Sequence, residues 1–194
     1  MHSLSIVVAV FAAFALAVGL RTGAGVDFFL AFVSLVCAWT TWRSARISAF
    51  LKIFAAIFAL ETVVFGLGYL TARLGLWPEA YAQYKLPESL PLTVAIFAIL
   101  VYAVSHIPVV RAMTHIADRY FANDERGEAR IWPFTAFRAP ERRIAAAMVA
   151  ALVLINQAQV GIMVRLSFFN RDWFNALQDK DAAKFWLLLL WVFT

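Results

Sequence analysis

The chain has 194 residues, 63% of them hydrophobic and 15% charged, with a mean hydropathy of +0.78. A soluble domain carries about 45–50% apolar residues, so this composition excludes one and calls for a bilayer. The net charge of +5 and pI near 9.7 would suggest nucleic acid in a soluble protein, but here the arginines lie between apolar runs, where membrane orientation accounts for them and no nucleic-acid partner is expected. The single cysteine, Cys37, sits inside an apolar run, which leaves no disulfide framework and no cysteine-based metal cluster.

Residues 1–110 read as four membrane spans. The first, Leu4–Leu20, competes with a signal peptide because Ala15-Leu16-Ala17 imitates a cleavage site, but its start lacks Lys or Arg and further spans follow, so an uncleaved helix is preferred. The second, Val26–Trp42, comes after a short Gly-containing turn, which predicts a tight antiparallel hairpin, with Arg43 and Arg46 marking its far end. The third, Ile47–Leu70, carries Lys52 near one end, where it can snorkel, and Glu61 near the middle, where it cannot easily do so. A polar loop, Thr71–Ser89, places Trp77, Tyr81 and Tyr84 as an interfacial aromatic belt. The fourth span, about Leu90–Val110, meets Pro108 late, which predicts a kink or a stop.

Residues 111–143 form the longest polar connector, with Asn123–Glu128 as a loop and Arg130–Phe134 as an amphipathic continuation. If the N-terminus faces the cytoplasm, ten Lys and Arg fall on the cytoplasmic side and seven opposite, and the connector alone holds seven arginines. That bias has the sign of the positive-inside rule and gives a multi-pass protein with a cytoplasmic Arg-rich connector.

Residues 144–194 begin with an apolar span, Ile144–Val164, long enough to cross a hydrocarbon core of about 30 Å. Asn156 and Gln159 lie deep in it at i, i+3, where they share a face and can either bond a neighbouring helix or line a cavity; Gln157 lies beside them. Ala146, Ala147, Ala150 and Ala151 repeat at four-residue spacing and permit close helix contact. A polar, aromatic segment, Asn170–Lys184, follows as an interfacial or partner-binding helix. The last apolar run, Phe185–Thr194, supplies ten residues, about half a crossing, so the chain is expected to be the front of a longer polypeptide or a truncated product.

The run Asn170-Arg171-Asp172-Trp173-Phe174-Asn175-Ala176-Leu177-Gln178-Asp179-Lys180-Asp181, followed by Phe185-Trp186, resembles the signature of the SbmA/BacA-like peptide transporters and related fused permease-ATPase proteins of Gram-negative bacteria. The resemblance covers about the last quarter of the chain. It implies an all-α, ABC-exporter-type transmembrane domain in the bacterial inner membrane, preceded here by four extra spans, working as a homodimer and moving peptides or other amphipathic solutes. It also makes residues 111–143 the elbow leading into the first core helix and turns the signature toward the periplasm. Trp173, Phe174 and Leu177 would either pack the ends of core helices or line an outward gate, with Asp172 near a helix start and Lys180 later, where they suit the helix dipole.

No G-x-x-x-x-G-K-[ST] loop occurs, so ATP could act only through a separate downstream domain, and no cofactor is expected in this chain. His2, His106 and His115 are too scattered for a triad or a metal site, and the chain reads as no enzyme. Glu61 is the sharpest candidate for proton coupling, since an ionisable group at membrane depth costs about 2.5–3.5 kcal/mol; a protonated Glu61 bonded to a neighbouring helix is the plainer alternative. The rival to transport is an accessory or truncated scaffold that binds a partner through its spans.

Overall fold

The computed structural model describes residues 1–78, 85–123, 125–129 and 137–193. Tyr81, Tyr84 and the stretch 130–134 lie outside them, so the aromatic belt can be followed only at Trp77, whose Nε1–H donates to Thr71 Oγ1 at 3.0 Å. The described residues are mostly helical.

The expected hairpin forms from α1 (His2–Thr22) and α2 (Gly25–Arg43). Gly23 makes the turn at φ 67°, a left-handed conformation that costs glycine little, and its N–H caps Gly19 C=O at 2.8 Å. A short 3₁₀ turn, Ser44–Arg46, leads to α3 (Ala49–Arg73), and α4 (Ser89–Val104) follows. Helix α1 packs on α2 and α3, and α4 packs on α2 and α3, which closes a ring of four neighbours. Val8, Phe11, Leu30, Leu70 and Ala95 fill its centre. Gly66 lets α3 approach α1 so closely that a Cβ there would run into the Phe11 ring. Some buried hydroxyls bond to a carbonyl one turn back, as in Thr62 Oγ1–H to Phe58 C=O and Ser44 Oγ–H to Thr40 C=O, both 2.8 Å, whereas Ser34 Oγ has no partner among the described residues.

The fourth span is shorter than expected. It ends at Val104, and its 16 residues reach only about 24 Å. Pro108 lies outside α4: it opens a new helix, α5 (Pro108–Tyr120), where its missing N–H costs nothing, and the chain bends by 91° between the two. Asp118 of α5 then accepts from Ser48 Oγ at 2.8 Å and from Phe50 N–H at 3.4 Å, capping the start of α3. The connector also departs from the all-α reading. Strands β1 (Arg126–Ala129) and β2 (Phe137–Pro140) pair antiparallel, so residues 126–128 are strand rather than loop.

Helix α6 (Glu141–Gln178) is continuous for 38 residues, and α7 (Ala182–Phe193) follows a tight turn. The expected break between the Ile144–Val164 span and the signature segment is therefore absent. Among the described residues four helices are long and apolar enough to cross a membrane, the ones within His2–Thr22, Gly25–Arg46, Ala49–Arg73 and Glu141–Met163, and the bent α4–α5 pair would make a fifth. The chain divides into two compact units, Met1–Ala150 and Ala151–Thr194.

Candidate functional site

The most completely built polar site was missed by reasoning from the sequence. Asp27, in the first turn of α2, is wholly buried. Its Oδ2 accepts from Thr22 Oγ1–H at 2.7 Å and Arg73 Nε–H at 2.9 Å, and its Oδ1 accepts from the Tyr69 hydroxyl at 3.0 Å. One carboxylate thus ties the end of α1, the start of α2 and the end of α3. The position suits the helix dipole, which favours an anion at an N-terminus. Both oxygens are occupied and the side chain is shut away from solvent, so the arrangement clamps three helices rather than presenting a reactive acid. A signal for it exists in the sequence: an acid just after the Gly23–Gly25 turn, and an arginine closing the third span on the same side of the membrane.

Glu61 is half-buried at the midpoint of α3, as the span reading requires. It lies about 200° around the helix from Ala59, on the side away from the buried stripe of Ala55, Ala59, Thr62, Val63 and Gly66. Asn156 and Gln159 are both exposed on α6. Asn156 Nδ2–H donates back to Leu152 C=O at 3.1 Å, so part of its polarity is met within its own helix. Glu61 belongs to the first compact unit, whereas Asn156, Gln159 and the signature belong to the second.

The signature folds as a helical hairpin. Asn170 through Gln178 make the last turns of α6, so Asp172 lies near the end of a helix rather than near its start, and the expected dipole role does not hold. Asp172 instead pairs with its neighbour Arg171, Nε to Oδ1 at 3.1 Å, a surface contact worth about 0–1 kcal/mol. Asp181 N–H donates to Ala176 C=O at 3.0 Å and Lys180 N–H to Leu177 C=O at 3.2 Å, the hydrogen-bond pattern of a Schellman stop. Lys180 adopts φ 55° to allow it. Asp181 then caps α7, its Oδ1 accepting from Lys184 N–H at 3.0 Å.

The Trp173 ring stacks on Phe185 at 5.3 Å between centroids, and Ala176 is buried. Phe174 and Leu177 stay 57% and 47% exposed, so of the three large apolar residues only Trp173 packs inside the hairpin. Asn170, Asn175 and Gln178 are exposed too. The buried Trp173 Nε1–H has no acceptor among the described residues. Likewise no group of three or more metal-ligating side chains forms among them.

These features define a mostly helical protein with several helices long and apolar enough to span a membrane. Comparison with protein-family models, with curated proteins and with solved structures finds no match to this chain.

Proposed function

We propose that the chain is the membrane-embedded part of an SbmA/BacA-like or fused ABC-type transporter of the bacterial inner membrane, moving peptides or other amphipathic solutes as a homodimer. The observation that carries this reading is the Asn170–Asp181 run. Two structural features support it. The apolar window of α6 has no buried residue, so lipid or further helices must cover it, and Asn156 and Gln159 would gain more from helices or a cavity than from lipid. In addition, the hairpin leaves Phe174 and Leu177 exposed, a surface suited to a partner that supplies apolar area.

The test is uptake of a labelled amphipathic peptide into vesicles holding the full chain, with and without a pH gradient, alongside cross-linking for the dimer. Alanine at both Asn156 and Gln159 should cut uptake several-fold while cross-linking persists. If the wild-type chain neither dimerises nor moves peptide under either condition, the transport reading fails and the scaffold takes its place. Glu61→Gln in the same vesicles decides proton coupling: uptake equally dependent on the gradient would remove Glu61 from that role.

A further inference from the structure

At the end of the helical body opposite the Asp27 clamp, the end of α2, the start of α3, the end of α4 and helix α5 enclose a cavity of about 420 Å³. That size is within the range of small-ligand sites, about 300–1,000 Å³. Arg43, Arg46 and Arg111 line it, together with His106 and His115. The one acid in its wall, Asp118, already accepts from Ser48 and Phe50, and none of the three arginines forms an ion pair among the described residues. Three guanidinium groups, one at the end of α2, one in the 3₁₀ turn just past it and one in the first turn of α5, facing one engaged carboxylate, make an anion site at the level where headgroups lie.

A second feature adjoins it. Helices α1 and α2 form an open groove of about 640 Å³ whose wall is almost wholly apolar, with Ile6 and Ala9 on one side and Leu35, Trp39 and Trp42 on the other. Trp39 joins the two: the Arg43 guanidinium lies 5.7 Å above its ring, and the Tyr102 ring, which lines the basic cavity, meets it edge-on at 6.0 Å. Trp42, Trp39 and Leu35 step along α2 away from Arg43 at three- and four-residue spacing, so the groove runs about 10 Å from the helix end into the span. A basic cup beside an apolar groove that runs along α2, the two bridged by Trp39, matches a ligand with a charged head and a hydrocarbon tail.

We propose that the cavity and groove together bind one anionic phospholipid, its phosphate held by Arg43, Arg46 and Arg111 and one acyl chain laid between α1 and α2 over Trp39. The site is independent of whether the protein transports anything. A free phosphate would share the arginines but not the groove, which is why the apolar channel favours a lipid.

The test is native mass spectrometry of the full chain equilibrated in detergent with equimolar phosphatidylglycerol and phosphatidylcholine of identical acyl chains. Phosphatidylglycerol should be retained at least about tenfold over phosphatidylcholine, and Arg43→Gln, Arg46→Gln and Arg111→Gln together should abolish that preference. Arg119→Gln, Arg126→Gln and Arg138→Gln remove the same net charge away from the cavity and should leave it intact. Ala9→Phe, which fills the groove, should lower phosphatidylglycerol retention, and an excess of inorganic phosphate should not displace the lipid. Equal retention of both lipids, or equal loss in the two triple variants, overturns the site. Displacement by phosphate alone, with Ala9→Phe inert, reduces it to a free-anion site and overturns the lipid assignment. Should the cavity triple fail to fold by circular dichroism, Arg111→Gln alone must still lower the preference.

Discussion

Met1–Ala150 and Ala151–Thr194 are both apolar and helical, yet they place their charged and amide groups differently. In the first, Asp27 is fully buried and answered by three donors from α1 and α3, and the buried Thr40, Ser44 and Thr62 bond back to their own helices. In the second, Asn156 and Gln159 lie on the outside of α6 and the buried Trp173 indole lacks an acceptor among the described residues. Burying a carboxylate is tolerable only with partners at hand, and the Asp27 clamp supplies them inside the first unit. In the second unit Asn156 and Gln159 stay exposed, with one Asn156 donor met by the Leu152 carbonyl of the same helix.

The sharpest way to break that contrast is at the clamp. Arg73→Ala leaves the buried Asp27 carboxylate without its counter-charge, a loss of about 3–5 kcal/mol for a buried pair, with the lower end expected here because Arg73 is 37% exposed. Denaturant-induced unfolding in micelles reads it, and Asp27→Asn added to Arg73→Ala should restore part of the loss. A stability unchanged by Arg73→Ala would mean that the clamp joins nothing. Gly66→Ala comes next. Its methyl group must displace the buried Phe11 ring, an overpacking cost of about 1–3 kcal/mol, and trimming Phe11 to Leu in the same chain should relieve it.

The second unit should respond in the other direction and more weakly. Lys180 holds a left-handed backbone that glycine adopts freely, so Lys180→Gly should stabilise the α6–α7 turn by about 1 kcal/mol. Slower hydrogen exchange at the Asp181 amide, which donates to Ala176, would register it. Faster exchange there would show that the lysine side chain contributes more than its backbone strain costs.

Much of the fold was legible because it follows from one-dimensional patterns. Long apolar runs between polar breaks produced α1, α2 and α3 within a few residues of their expected limits, and Gly23 marked the first hairpin. Pro108 signalled a break, but choosing between a kink and a fresh helix start depends on where the next turn packs, and α5 is seated by Asp118 against the head of α3. Likewise the polar, aromatic run from Asn170 was legible as a helical segment, while its start was misplaced. Nothing between Val164 and Asn170 breaks a helix, and the real stop lies at Asp179–Asp181, where a lysine takes the place usually held by glycine.

The candidate sites divide along the same line. Glu61, Asn156 and Gln159 stood out because a lone polar residue in an apolar run is conspicuous by itself. Asp27 did not, because its importance lies in Arg73, 46 positions away, and in Thr22 and Tyr69 reaching the same two oxygens.

The amino-acid sequence by itself determined that this chain is helical and apolar enough for a bilayer, since burial of long uncharged runs depends only on composition and length. The tertiary structure alone decided which charges meet. It sealed Asp27 beneath Arg73 at one end and gathered Arg43, Arg46 and Arg111 around a cavity at the other, because helices that pack side by side bring distant residues to a common depth.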